Sequence, residues 1–358
     1  MMQFPAFHKM LLVALTLCFL FAEGFVSQKV QATTENKTLL KMGVRSTLAK
    51  PLKKVFGSSE RTDKELKDGI AGFYDASSGA WEDVWGEHMH HGYYPEGVKV
   101  DHKEAQIDMI NRSLDWAGVV KADNVVDVGC GIGGSSRHIA RRYGGRTTGI
   151  TLSPVQAARA TALSEAQGLG DRCRFQVADA LNMPFEENSF DLIWSMESGE
   201  HMPEKEKFVQ GLARVCAPGG KVLVVTWCHR DLEPGEAGLT PKEERLLNRI
   251  NKAYYLPRWC SVADYVAYAE AAGLADIKTA DWTDRIQAFW PAVVRSALGS
   301  PRNFWGMLRS GPKTVRGALA MLWMIQGYNR GLIKFGLITA TKPASAADEQ
   351  KEDPKGES

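Results

Sequence analysis

No two of the six cysteines stand at C-x-x-C spacing, and positions 18, 130, 173, 216, 228 and 260 match no zinc-ligand pattern. Free thiols in a reducing compartment are therefore expected rather than a disulfide framework. Net charge is equally short of signal. With 44 Lys+Arg against 42 Asp+Glu the chain carries +2, which excludes the broadly basic surface of a general nucleic-acid binder. A membrane-spanning run is missing too. The apolar stretch MLLVALTLCFLFAEGF at 10–25 follows His8 and Lys9, gives way to polar residues, and is too short for a comfortable span. It has the shape of a signal-peptide core, so residues 1–25 are expected to be removed.

Acidic residues are scarce in two other places. Between 26 and 56 seven lysines and arginines face the single acid Glu35, among several hydroxyl residues, which is the composition of a transit peptide. A signal followed by a transit segment suits import into a plastid bounded by extra membranes. From Arg285 to Ala347 there is no acid at all, yet nine cations stand there, interleaved with Phe289, Trp290, Phe304, Trp305, Trp323 and Tyr328. In a chain netting only +2 this is a real asymmetry, and peripheral contact with an anionic plastid membrane is the expectation. The polar tail at 344–358 is expected to be disordered.

The remaining length suits one large domain with elaborations. Within it, NVVDVGCGIGGSSRHIARRYG opens with an apolar strand, breaks into glycines and resumes at helical spacing through Ile139 and Tyr143. Strand, glycine turn and helix begin a doubly wound α/β sheet. Gly129, Gly131 and Gly133 permit positive φ and close approach of backbone to a ligand. The spacing alone is weak, since Gly129, Gly131 and Gly134 also satisfy the dinucleotide fingerprint. Two acids narrow it. Asp127 lies inside the strand, where a carboxylate can meet a cationic amine but needs a polar partner to be buried. Asp179, in FQVADALNMPF, follows a later strand and can accept from an adenine amino group. The strand SFDLIWSM and the Pro218-Gly219-Gly220 turn before VLVVTW complete the set.

Together these segments resemble the Rossmann-like, class I S-adenosylmethionine-dependent methyltransferases. The resemblance implies a mostly parallel seven-stranded sheet, S-adenosylmethionine as cofactor, and cofactor contacts at Asp127, Gly129, Cys130, Gly131, Gly133, Asp179, Ala180, Leu181, Ser195 and Glu197. Strand two ends GITLSPVQ, with no acid where most such enzymes grip the ribose hydroxyls; Thr151, Leu152 and Gln156 are expected to serve there. That pattern is similar to the cyclopropane-fatty-acid synthase and sterol methyltransferase branch, whose members methylate carbon on greasy substrates.

Outside this core, FYDASSGAWEDVWGEHMHHGYY, SMESGEHMPEKEKF, TWCHRDLEP, AYYLPRWCS, FWPAVVRSAL and GYNRGLIKFGLIT resemble the gamma-tocopherol methyltransferase family from about Gly69 to Pro343. The implied domain, 60–343, divides into a lid (60–115), a cofactor-binding core (120–230) and a substrate cap (231–343). The implied reaction is methylation of a ring carbon ortho to the phenol of gamma- or delta-tocopherol, a lipid. A phenol titrates near ~10, so a base helps, and His201 is favoured, with Glu200 or Glu197 to orient it and His229 next in line. Tyr74, Trp85, Tyr93 and Trp290 are expected to line the sulfonium and the ring, and His90 or His91 to bond the phenol oxygen. His88, His90 and His91 invite a metal reading, but neighbouring side chains diverge and no suitable fourth ligand follows, so none is expected. An alkaloid N-methyltransferase and a non-enzymatic lipid carrier on the same fold remain the alternatives.

Overall fold

The computed structural model describes residues 82, 86–98, 100–286, 289 and 312–344. The two targeting-type segments, part of the basic stretch and the polar tail beyond Ala344 lie outside the described residues, as do Tyr74, Trp85 and Trp290.

Seven strands form one sheet in the order β3-β2-β1-β4-β5-β7-β6. They are β1 (Asn124–Val128), β2 (Arg146–Thr151), β3 (Cys173–Val177), β4 (Phe190–Met196), β5 (Cys216–His229), β6 (Ala275–Asp281) and β7 (Ile333–Thr341). Strands β1 to β5 pair in parallel, and β7 inserts antiparallel between β5 and β6. Helices α1 (His102–Trp116), α2 (Gly134–Tyr143), α3 (Pro154–Ala166), α4 (Lys205–Val215), α5 (Pro241–Tyr254), α6 (Val262–Ala271), the short α7 (Thr283–Ile286) and α8 (Pro312–Asn329) surround it. Pairing of β5 starts at Cys216, before the Pro218-Gly219-Gly220 turn, and the turn is absorbed as an irregularity between Phe190 and Leu192 on the partner strand.

Parallel strands buried on both faces need apolar residues at successive positions. Val125, Leu192, Trp194, Leu223 and Val225 belong to one buried cluster; Val126, Ile193, Val222 and Val224 belong to the other. Alternation along each strand sends neighbours to opposite faces, so the two clusters are the two halves of one core. Trp194, Phe208 and Phe335 are fully buried, each contributing roughly 2–3 kcal/mol by area.

Local chemistry starts and stops the helices. Ser153 caps α3 by accepting from the Gln156 amide at 3.0 Å, with Pro154 in the first helical position. Thr240 with Glu243, and Ser261 with Asp264, form capping boxes at α5 and α6. Helix α2 ends at Gly144, in the left-handed region, after Arg141 and Arg142 in its last turn. Cys130, Cys173, Cys216, Cys228 and Cys260 are all free and buried, matching the expected thiol state.

Candidate active site

Strand order reverses between β1 and β4, and in open α/β sheets ligands bind outside the carboxyl ends of the strands at such a point. A cleft lies there, enclosing about 1150 Å³ of non-atom space, part of it open to solvent. Asp127, Gly129, Cys130, Gly131, Thr151, Leu152, Gln156, Asp179, Ala180, Leu181, Glu197, His201 and His90 all line it. Twelve of these come from four separate segments of the core, at the carboxyl ends of β1, β2, β3 and β4, and His90 comes from the segment before α1.

The glycine turn is built for close approach. Gly129 has φ +83°, and a Cβ there would stand 2.3 Å from the Ser198 Cβ. Gly131 and Gly133 are also at positive φ, as the spacing suggests. Gly134 has a different reason to lack a side chain: a Cβ would meet the Glu87 carbonyl oxygen at 2.2 Å. The backbone of residues 87–90 therefore passes directly over the start of α2. Gln106 on α1 holds it, donating from Nε2 to the carbonyls of His88 (2.5 Å) and His90 (2.8 Å). Arg137, fully buried, reaches from α2 to Glu87 (3.0 Å) and to the Ile132 carbonyl (2.8 Å).

Asp127 has the partner its burial demands: Ser136 donates from Oγ to its carboxylate at 2.5 Å. Burial still pushes it up to about 7, against the Ser136 hydrogen bonds that pull it down. Asp179 accepts from the Leu181 amide at 3.0 Å and so caps the 3-10 turn Ala180–Asn182. Thr151 donates from Oγ1 to Gln156 Oε1 at 2.9 Å, which orients the amide of Gln156 at the cleft wall. An apolar bed with a few convergent polar groups, the carboxylates of Asp127 and Asp179 among them, suits an adenosine with an ammonium-bearing tail.

Several expected residues stand elsewhere. Gly133 is not among the lining residues; it packs against the Phe175 ring, 2.6 Å from where its Cβ would be. Ser195 is fully buried behind the cleft, its hydroxyl 2.7 Å from that of Ser198, which donates to the Val128 carbonyl at 2.7 Å and ties β4 to β1. His229 ends β5 with its Nδ1 2.7 Å from the Arg230 carbonyl oxygen and does not line the cleft. Tyr93 packs edge-on to Trp282 at 5.1 Å, with the Arg112 guanidinium 4.5 Å over its ring, also away from the cleft. Glu200 is buried behind the wall and accepts from Thr226 Oγ1 at 2.7 Å. Burial, then the neighbouring Glu197 charge, holds its carboxyl well above the usual carboxylate range. His201 does line the cleft, but burial and the nearby Lys205 ammonium lower it to about 4. An imidazole held that low is a weak proton acceptor for a phenol.

His90 and His91 diverge, as adjacent side chains must. His90 faces the cleft. His91 turns inward against Phe289 (4.2 Å between ring centroids), Trp227 (5.6 Å) and Phe335 (5.7 Å). Glu197, at φ +50°, accepts from the His91 amide at 2.5 Å and meets its Nδ1 at 2.7 Å. Among the described residues no group of three His, Cys, Asp or Glu is placed to hold a metal ion. Sequence reasoning passed over Glu87, His88, Met89 and Ser153 as lining residues. The same-segment histidines were the only pointer to the first three.

Residues 126–224 match the family described as a methyltransferase domain. A protein from Oryza sativa subsp. japonica named probable tocopherol O-methyltransferase, chloroplastic, is 58% identical over 286 residues, 78% of this chain and 79% of that one. The chain belongs to the tocopherol O-methyltransferase family. It is thus an S-adenosylmethionine-dependent methyltransferase of the Rossmann-like class. Norajmaline N-methyltransferase from Rauvolfia serpentina is more distant, 36% identical over 78% of this chain and 99% of that protein. Among solved structures, a putative sarcosine dimethylglycine methyltransferase from Galdieria sulphuraria superposes with a TM-score of 0.65 at 25% identity, covering 76% of this chain and 99% of that one. The cofactor supplies an electrophilic methyl on a sulfonium. The lining suits it: Asp127 would meet the amine, Gln156 and Thr151 the ribose hydroxyls, and Asp179 the adenine.

Proposed function

We propose that this enzyme methylates the chromanol ring of gamma-tocopherol, and of delta-tocopherol, at the carbon ortho to the phenol, giving alpha- and beta-tocopherol in vitamin E synthesis. The observation that carries the reading is the 58% identity to the rice protein across both the cofactor core and its surroundings. The 36% identity to the norajmaline enzyme makes an alkaloid nitrogen the weaker acceptor. Carbon rather than oxygen is favoured by the strand-two ending Gly149-Ile150-Thr151-Leu152-Ser153, followed by Gln156, which resembles that of carbon-methylating enzymes on greasy substrates.

The work left to the chain is positioning and exclusion of water. The methyl, its sulfur and the ring carbon must lie in line, which can contribute several kcal/mol of barrier lowering. Residues 87–90, held by Gln106 and Arg137, roof the cleft beside the glycine turn and keep it dry. His90 and His201, both neutral, can offer hydrogen bonds to the acceptor without competing for the methyl as cations.

Plastid residence follows the chloroplastic designation of the rice protein and the composition of residues 1–56. Docking on anionic lipid through the basic stretch 285–347 would let a phytyl-tailed substrate enter without crossing water. Of its cations, Lys334 is 2.9 Å from Asp281 and Lys342 donates to Asn188 and the Ala213 carbonyl, so the docking charge must come from others. Incubation with methyl-deuterated S-adenosylmethionine and a mixture of tocopherols and an indole alkaloid tests the reading. Label in a ring methyl of alpha-tocopherol supports it; label in a phenyl ether or on nitrogen overturns it.

A further inference from the structure

Beside the cofactor cleft, joined to it through Glu197 and His91, stand two buried polar side chains that the cleft itself does not use. Trp227 Nε1 on β5 and Tyr328 Oη on α8 are both buried, and neither has a hydrogen-bond partner among the described residues. An orphaned buried donor costs desolvation without return, and these two, both near Tyr254, together point to an acceptor. Their walls are aromatic. Trp227 stacks on Trp259 at 6.1 Å and meets Tyr254 edge-on at 6.3 Å; Tyr328 and Phe335 belong to the same buried cluster. A flat aromatic ring bearing one oxygen is the chemistry these surfaces match. Tyr328 stays a donor, since burial and then the charges of Glu197 and Glu200 hold its phenol well above its ordinary range.

His91 stands beside them, its ring 5.6 Å from the Trp227 ring. Its Nδ1 lies 2.7 Å from Glu197 Oε2, which assigns the Nδ1 proton to that hydrogen bond and leaves Nε2 as the basic nitrogen. Glu197 also grips the His91 amide and at the same time lines the cofactor cleft. A carboxylate behind a histidine is the arrangement that both aims an imidazole and stabilises it once protonated. The groups facing the pair are Glu200 and His201 from the turn after β4, Tyr328 from α8, and His90 beside it.

We propose that the acceptor's phenol oxygen docks between Trp227 Nε1, Tyr328 Oη and His91, and that the His91–Glu197 pair takes the phenolic proton during methyl transfer. The proposal rests on the tocopherol reading above and adds to it the groups that recognise and activate the phenol. The proton passes from oxygen to His91 Nε2 while the ring carbon's electrons form the new carbon–carbon bond and the carbon–sulfur pair stays on sulfur, leaving a thioether. The ring carbon then sheds its own proton to solvent as the ring regains aromaticity, and His91 returns the first proton to oxygen. One proton is released in total.

The test uses the full chain and three variants, His91→Gln, Tyr328→Phe and Trp227→Phe, with gamma-tocopherol as acceptor. His91→Gln should lower kcat by ~10²-fold or more at neutral pH. Its affinity for S-adenosylhomocysteine by calorimetry should stay within about threefold, because His91 lies outside the cofactor cleft. The residual rate should climb with pH toward the phenol's own value near ~10, where solvent does the base's work. Tyr328→Phe and Trp227→Phe should mainly raise KM, and should erase the wild type's preference for free phenol over its methyl ether in binding. Wild-type turnover that persists in His91→Gln, or a loss flat across pH, overturns the proposal alone. No turnover of tocopherol by the wild type overturns the substrate reading and this proposal with it.

Discussion

Gly134→Ala separates two opposing effects whose sizes differ. Alanine is the better helix former, and in a helix interior the exchange would stabilise by ~0.5–1 kcal/mol; at the first position of α2 the gain is smaller still. Against it stands a methyl 2.2 Å from the Glu87 carbonyl oxygen and 2.7 Å from His88 Nδ1. The first is backbone of a segment that Gln106 pins at the His88 and His90 carbonyls, so it cannot swing aside as a flexible chain end could. Relief needs about 1 Å of movement in the roof segment, at the ~1–3 kcal/mol typical of overpacking. The clash wins. Its cost falls on the closed roof rather than on the core, so affinity for S-adenosylhomocysteine should drop about 5- to 100-fold, using 1.4 kcal/mol per decade. Limited proteolysis should then cut near residues 87–95, while the thermal midpoint changes little. A variant binding within twofold of wild type and equally protected from protease would refute the steric argument.

The pH dependence of cofactor affinity follows from Asp127, which burial raises from 3.8 to about 7. In the unliganded protein this carboxyl holds its proton more tightly than when unfolded, so its contribution to stability is complete below pH ~4 and is lost as pH rises through about 7, by roughly 1.4 kcal/mol per unit. A cationic amine needs the ionised form, so calorimetric affinity for S-adenosylhomocysteine should rise up to tenfold per unit from pH 5 to 7 and then level; Asp127→Asn should abolish the slope. His201→Asn should cost less than tenfold in kcat, because an imidazole lowered to about 4 is not the base; a hundredfold loss would restore it to that role. A strong chelator should leave turnover unchanged, and lost activity would revive a metal at the histidines. Binding to anionic vesicles should weaken with added salt, and equal binding to neutral vesicles would remove the electrostatic anchor.

Much of the cofactor site was legible because it is local. Strand, glycine turn and helix are contiguous between Asn124 and Tyr143, and Asp127, Gly129 and Gly131 reach the cleft through backbone geometry that a few neighbouring residues impose. The same holds for Thr151 to Gln156, where the Ser153 cap and a five-residue separation already bring hydroxyl to amide. Alternating membership of the two apolar clusters was likewise implicit in the continuous apolar strands.

What chain order could not supply is which polar group faces which. His91 and Glu197 are 106 positions apart, and Tyr328 comes from the last helix, late in the substrate cap. His201 was favoured as base from its place after β4, but only the packing of Lys205 around it lowers its basicity. His229 and Tyr93 looked available and are turned away, because the Arg230 carbonyl and the Trp282 ring lie closer than the cleft does. Residue type and spacing determined the fold and the donor's cradle. Burial and long-range approach, which set proton affinity and direction, were decided only when the sheet brought distant segments together.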